Sequence, residues 1–284
     1  MDSQTKRTGD LLDLVAASRL IGFIGAGKLA GSVIRGLVLA KFCSPGEIIA
    51  SEPNESLRAA LRYEVGIHVT ENNAELVGQA ELILIGVKPP VVLPVLREVA
   101  SLLNEKSVIS FAAGVRLEAM EPIANARFMR AMTNTPSVIC RAATAIARGS
   151  RTTNDDVDLA RKIFSAIGVV VEVNEEQIDA VTALAGSGPA FVYTVIEALA
   201  EGGKKMGLAP DTALTLATQT VLGAAQLASE SKLSTQELRK MVVTPGGTTA
   251  AGLAALEKLK TAEGLIAAVQ AATKRGQEMA KENL

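Results

Sequence analysis

The chain has 284 residues, 48% of them apolar, with 29 Lys and Arg against 30 Asp and Glu, for a net charge of −1. That length suits about two domains with real cores; the balance excludes a disordered chain and any one-sign field that would steer nucleic acid or an anionic membrane. A single histidine (His68) and two distant cysteines (Cys43, Cys140) give no disulfide framework and no metal site, suit a reducing, cytoplasmic compartment, and exclude a His-dependent triad unless His68 serves it.

Residues 1–19 mix Asp2, Asp10 and Asp13 with Lys6, Arg7 and Arg19, lack the apolar core of a signal peptide, and are expected to form an extension or a short extra helix. No apolar stretch reads as long and uninterrupted enough to span a bilayer. The apolar run 20–24 breaks into Gly25-Ala26-Gly27, after which Leu29, Val33, Leu37 and Ala40 recur at helical spacing. The turn fits G-x-G-x-x-G/A with Gly25, Gly27 and Ala30. Gly25 permits the turn, Gly27 lets the backbone approach a pyrophosphate, and Ala30 lets helix and strand pack closely. The first amides of the helix then face an anion. A second apolar run, 48–50, ends at Glu52, somewhat beyond the usual place of the acidic residue in this pattern. Two other readings stay open here. Gly22, Gly27 and Lys28 match the start of a P-loop, although Leu29 stands where a hydroxyl would hold magnesium, and a strand–turn–helix joint can also be purely structural.

Further along, the pattern predicts a helix over 55–63, a short strand at 67–69 with His68 in a structural role, and a helical turn at 73–78. The run 82–87 reads as a strand buried on both faces, ended by Lys88-Pro89-Pro90. A helix at 91–103, a strand at 107–111 closing on Ala112-Ala113-Gly114, a helix at 117–124 and a strand at 127–131 follow. A turn at 134–136, a strand at 142–147, a helix at 155–167 and a strand at 169–173 complete the alternation. It predicts an α/β, Rossmann-like, doubly wound parallel sheet. Small residues mark three strand ends, at 25–27, 87–89 and 112–114, which would lie in one line beneath an extended dinucleotide; the alternative is that small residues punctuate any strand end.

Beyond Asn174 the strands cease. Helices are expected at 175–184, at 189–206 (launched by Gly186-Ser187-Gly188-Pro189 and stopped at Gly207), from Pro210 or Asp211 to 229, at 235–241, and from about 250 onward. The chain therefore divides into an extension (1–19), a dinucleotide-binding domain (20–174) and an all-α domain for substrate binding and dimerisation (175–284). Leu214, Ala217, Val221, Ala224, Ala225 and Ala228 form a small-residue helix face that predicts a homodimer; a self-contained bundle is the alternative. The stretch Thr244-Pro245-Gly246-Gly247-Thr248-Thr249 offers amide donors at a helix start, a nest suited to a carboxylate, or else it caps that helix through its threonines. A nucleotide domain joined to an anion nest suggests a reductase of a small carboxylic acid. The lack of an obvious general acid suits an imine, which can arrive protonated, better than a ketone.

Taken together, 23–30, Val87-Lys88-Pro89, 112–115, Met132-Thr133-Asn134-Thr135-Pro136, 178–182, 186–190 and 244–249 resemble pyrroline-5-carboxylate reductase, in that family's order, from about residue 20 to the C-terminus. The resemblance implies NADPH- or NADH-dependent reduction of the C=N bond of 1-pyrroline-5-carboxylate to L-proline, by dimers often assembled into a decamer. It also implies site residues. Ile24, Gly25, Ala26, Gly27, Lys28 and Leu29 would hold the pyrophosphate, Glu52 and Asn73 the adenine-side ribose, and Val87, Lys88 and Ala113 the nicotinamide half. Gly247 and Thr248, beside Thr244, would meet the substrate carboxylate. Thr249 would bond the ring nitrogen as the catalytic residue, and Glu175 matches an acidic position near the substrate. No metal is implied. A carboxylate at Glu52 would repel a 2′-phosphate, so NADH should be used at least as well as NADPH. Ser234-Thr235 replaces the His-Pro of many relatives, Lys240-Met241 stands where a small polar or acidic residue is common, and Ala185 replaces a serine before Gly186. The alternatives are another NAD(P)-dependent imine or 3-hydroxy-acid reductase of the same two-domain plan, or a non-catalytic nucleotide-binding assembly protein.

Overall fold

The structure, a computed structural model, describes residues 20–283; the extension expected at 1–19 lies outside the described residues. Eight strands form one sheet: β1 (Ile21–Ile24), β2 (Ile48–Ser51), β3 (His68–Thr70), β4 (Leu82–Ile85), β5 (Ser107–Ser110), β6 (Arg127–Met132), β7 (Ala142–Arg148) and β8 (Gly168–Glu172). Their order is β3-β2-β1-β4-β5-β6-β7-β8. The first six are parallel and follow the 3-2-1-4-5-6 order of a dinucleotide-binding sheet. Every residue of β1, β2, β4 and β5 is buried, as expected of strands covered on both faces; β1 and β4 are unbroken apolar runs, whereas β5 carries Ser107 and Ser110 at its ends.

Alternate side chains feed two cores. Phe23 and Leu84 face α1 (Lys28–Leu39) and α6 (Asn154–Ala166) through Val33, Leu37, Ile163 and Phe164. Ile24, Ile83 and Ile85 face α3 (Asn73–Gln79) and α4 (Pro89–Val99) through Leu76, Val92 and Leu96. Between these helices, α2 (Glu55–Glu64) follows β2 and is capped by the Asn54 side chain.

Three expectations need correction within the sheet unit. The sheet is not wholly parallel: β7 runs antiparallel to β6, and β8 is parallel to β7. The connection 133–141 contains only a 3-10 turn, Thr135–Ile139, and is too short for the crossover that a parallel neighbour needs. The helix expected at 117–124 shrinks to α5 (Leu117–Met120), because Pro122 cannot sit in a helix interior. The helix expected from 91 starts earlier, with Pro89 and Pro90 in a first turn that needs no N–H donors, and ends at Val99.

The described chain forms two compact units: 20–186 with 272–283, and Ser187–Ala271. The first therefore extends past the boundary expected at 174. Residues 175–186 run through a 3-10 turn (Glu175–Gln177), α7 (Ile178–Val181) and a π-turn (Thr182–Gly186). Ile178 is fully buried with Met132, Ala145 and Ala147, which ties this segment to the sheet. The chain also returns at its end. Gly276 lies against Asp179, and Gly114, at φ +66°, leaves no room for a Cβ beside Met279.

The second unit contains α8 (Gly188–Lys205), α9 (Pro210–Glu230), α10 (Thr235–Met241) and α11 (Thr248–Lys258), with the first part of α12 (Thr261–Glu282). α8 and α9 pack through Ile196, Ala200, Ala213 and Ala217. Gly207, at φ +95°, ends α8 as a left-handed glycine should. Ser234 caps α10 in a reciprocal box with Glu237, a local reason for Ser-Thr at 234–235. Many large apolar side chains stay exposed, among them Leu199, Leu216, Leu222, Met241 and Leu259. Because the π-turn runs into α8, Glu175–Lys205 forms one helical stretch of 31 residues that is long and apolar enough, by length and composition, to cross a membrane. The sequence, interrupted at Gly186-Ser187-Gly188, did not suggest this.

Candidate active site

β1, β4 and β5 are neighbours with Ile24 level with Ile85, and Ile85 level with Ser110. The segments that follow them, 25–29, 86–88 and 111–114, therefore line one edge of the sheet side by side, as the three small-residue strand ends predicted. On the other side of β1, β2 ends at Ser51 and leads into Glu52. This is the carboxyl edge where the strand order reverses, the place where open α/β sheets bind ligands.

Each glycine at this edge has its own cause. Gly25 adopts φ +83°, and a Cβ there would lie 2.6 Å from Val87 Cγ1. Gly86 meets Ala30, whose Cβ would sit 2.6 Å from a Cβ at 86, so the third position of the pattern is small because α1 crosses the end of β4 there. Gly22 lies inside β1, where a Cβ would be 2.6 Å from Leu76 Cδ2 and 2.8 Å from the Ala80 Cβ. Its packing role in a strand removes the P-loop reading. Gly27 differs from all of these. A Cβ there would meet no atom within 4 Å, so protein packing does not demand glycine at this position. Gly27 is the N-cap of α1, and no side chain caps it. The first helical amides, from Lys28 and Leu29 on, thus have no intrahelical acceptor and face open space at a positive helix end.

The remaining nucleotide-side residues are placed more narrowly than expected. Ile24 is buried in the core, and its carbonyl accepts from Gly86 N. Gly25 N donates to Ser51 O at 2.8 Å. Ala26 N donates to Glu52 Oε2 at 3.0 Å, and Glu52 Oε1 accepts from Asn54 N at 3.1 Å. The Glu52 carboxylate is buried and turned onto the glycine turn, with one backbone amide on each oxygen. Asn73 accepts from Ser51 Oγ at 2.7 Å and donates to Glu98 Oε2 at 3.2 Å. Val87 is half-buried against Gly25, Lys88 is the exposed N-cap of α4, and Ala113 is half-buried beside Gly114.

Sequence reasoning missed Arg130 beneath this edge. It is 2% exposed, donates from Nη2 to Ala112 O at 3.3 Å, and pairs through Nη1 with Glu175 Oε1 at 3.2 Å. The same Glu175 oxygen accepts from Leu117 N at 2.7 Å. Burial pushes the Arg130 pKa down, and Glu175 and Asp179 oppose that shift. An arginine in the middle of strand 127–132, between Met129 and Ala131, was the available signal. Asn134 was also read only as a turn residue; its side chain accepts from Ala143 N and donates to Ala185 O, both at 3.1 Å, joining β7 to the π-turn. A surface cavity of about 790 Å³ beside Glu175 is lined by Glu118, Glu121, Arg148 and Glu172, away from the glycine turn.

In the second unit, Gly246 takes φ +73° and Gly247 is the N-cap of α11, which begins at Thr248 rather than near Ala250. No side chain caps it, so the threonine-cap reading does not hold. Thr248 and Thr249 lie in the first helical turn instead. Gly247 N donates to Thr244 O at 3.0 Å, and a Cβ at 247 would lie 2.3 Å from Thr244 Oγ1. The amides that open α11 thus keep their anion-binding capacity, with the Thr248 and Thr249 hydroxyls on the same turn.

Residues 175–279 match the family model described as pyrroline-5-carboxylate reductase dimerisation, and residues 20–114 match that of NADP oxidoreductase coenzyme F420-dependent. The chain is 40% identical to the pyrroline-5-carboxylate reductase of Methanosarcina acetivorans, over 92% of this chain and 98% of that protein. It superposes with TM-score 0.85 on the solved Coxiella burnetii pyrroline-5-carboxylate reductase, at 35% identity, covering 93% of this chain and 99% of that one. The Plasmodium falciparum enzyme, solved with NADP bound, gives the same TM-score at 27% identity, covering 92% and 98%.

Proposed function

The chain belongs to the pyrroline-5-carboxylate reductase family, and from that premise we propose that it catalyses the NAD(P)H-dependent reduction of 1-pyrroline-5-carboxylate to L-proline, the last step of proline synthesis. The observation that carries the nucleotide half of this reading is Gly27: an uncapped helix start facing open space at the strand-order reversal, where packing does not demand glycine. Residues and group fit there. Lys28 and Leu29 would hold the pyrophosphate through their amides, with Ile24, Gly25 and Ala26 shaping the turn. Glu52 and Asn73 bound the ribose end, and Val87, Lys88 and Ala113 the nicotinamide end. When bound, the cofactor supplies the hydride that adds to the carbon of the C=N bond.

The chain's own groups bind and orient the other reactant. The Thr248 amide, at the helix start that Gly247 N anchors on Thr244 O, holds the carboxylate. The Thr249 hydroxyl orients the ring nitrogen, which keeps its proton as the C=N bond becomes a C–N bond. Glu175 serves the substrate region through its hold on Arg130 and Leu117. The assembly is at least a homodimer through the helical region, whose exposed Leu216, Leu222 and Leu259 support this reading, and the resemblance extends it to a decamer. Unpaired Cys43 and Cys140 suit a cytoplasmic setting.

The test is to follow NADH and NADPH oxidation with pyrroline-5-carboxylate, then with a small keto acid. Turnover with the imine and none with the keto acid is expected; no turnover with the imine refutes the assignment. Thr249→Val should lower kcat by about 10²-fold, on the scale of one lost hydrogen-bond donor at a reacting centre, and Gly247→Pro should raise KM. Near-normal kinetics in both would remove the nest from the site.

A further inference from the structure

The cation that could receive a 2′-phosphate is Arg58. It is the only Lys or Arg in 53–58, the loop after β2 and the first turn of α2, and an arginine near this place is what accommodates the phosphate of NADP in such sheets. Its side chain is 11% exposed, and both Nη1 and Nη2 are engaged. Nη1 donates to Glu52 O at 2.6 Å and Pro53 O at 3.0 Å; Nη2 pairs with Glu55 and, at 3.3 Å, with Glu71 Oε2. Beside it lies a cavity of about 490 Å³ lined by Pro53, Glu71, Asn72 and Glu98. Two carboxylates thus face this space, and no basic side chain among the described residues lines it. Glu52, the residue first expected to set cofactor choice, has both carboxylate oxygens occupied by backbone amides.

Resting on the dinucleotide site proposed above, we propose that this subsite selects the unphosphorylated adenosine ribose of NADH because Glu55 and Glu71 hold Arg58 away from a 2′-phosphate, and that Glu52 instead fixes the shape of the glycine turn. A phosphate monoester carrying about −1.5 to −2 charges near pH 7 would enter beside Glu71 and Glu98, with no cation among the described lining residues to meet it. Freeing Arg58 reverses this, since a guanidinium matches phosphate with paired N–H donors.

The experiment measures Kd for NADH and NADPH by the change in nicotinamide fluorescence on binding or by calorimetry, on the full-length protein with no substrate. Wild type is expected to bind NADH about 10-fold more tightly, with the ratio shrinking as salt rises. Glu55→Gln/Glu71→Gln should tighten NADPH about 5- to 10-fold and move NADH less than 2-fold. Arg58→Met should weaken both alike, because it loosens the 52–53 backbone. Three results overturn the proposal: wild type that binds NADPH at least as well as NADH, a double variant with an unchanged ratio, or an Arg58→Met variant that loses NADPH alone. Normal binding ratios without imine turnover would sink the assigned reaction and leave this inference standing, whereas failure to bind either dinucleotide would sink the nucleotide site itself.

Discussion

Glu175→Gln isolates the charge of one buried pair. Both hydrogen bonds to Glu175, from Leu117 N and Arg130 Nη1, end on the same oxygen, and a glutamine carbonyl can keep both. What changes is the counter-charge of a guanidinium that is 2% exposed. At 3.2 Å, the gross attraction is about 5 kcal/mol with an effective dielectric of 20. Glu175 is partly exposed and Asp179 supplies some compensating field, so the net loss should be about 2–3 kcal/mol, below the 3–5 of a wholly uncompensated buried charge. Urea unfolding at fixed protein concentration, which removes the mass-action effect of subunit association, reads this as a lower midpoint. The nucleotide Kd should rise as well, because Arg130 also supports Ala112 O. A variant within about 0.5 kcal/mol of wild type would refute the pairing argument, and unchanged stability with lost kcat would instead place Glu175 on the substrate.

Gly27→Val should lower dinucleotide affinity at least about 10-fold while leaving the melting temperature within 2 °C, since the new side chain meets only the open space in front of α1. Gly86→Ala should behave in the opposite order, costing about 1–3 kcal/mol by driving a methyl into Ala30, with weaker binding only as a consequence. The Asp156 carboxyl is pushed up by burial, but hydrogen bonds from Arg127 and Thr153 more than offset this and hold it below its ordinary value. Its contribution is therefore present above an unfolded pKa near 3.9 and is lost as pH falls through the lower folded value. Asp156→Asn should cost about 2 kcal/mol at pH 7, and the gap to wild type should begin to shrink below about pH 4 and go on shrinking as pH falls further; a gap that stays constant as pH falls from 7 to 3 would refute the assignment.

The nucleotide-binding half was legible because its signals are local. Apolar runs marked β1, β2 and β4, and the spacing of Gly25, Gly27 and Ala30 between a strand and a helix marked the turn. Strand direction in β7 was less visible, since an apolar run has no polarity; the short link 133–141 was the clue. The inward turn of Glu52 could not be read either, because it depends on the Ala26 amide, twenty-six residues earlier in the chain. Arg130 and Glu175 are linked across 45 residues, and only a folded sheet makes a buried cation in β6 sensible. At the second glycine stretch the residue types were clear, but whether threonine or glycine would cap α11 turned on one helix boundary.

The return of the last helix to Gly114 and Asp179 also bears on how the protein is made. Asn283 donates to Gly114 O at 3.3 Å, so the sheet unit is completed by residues at the far end of the chain. A ribosome adding about 5–20 residues per second needs on the order of 5–20 s to go from Gly186 to the final turn. During that interval the nascent sheet has its strands but lacks the cover over the loop after β5. Emergence of residues 272–283, rather than of β8, is then the event that closes this unit.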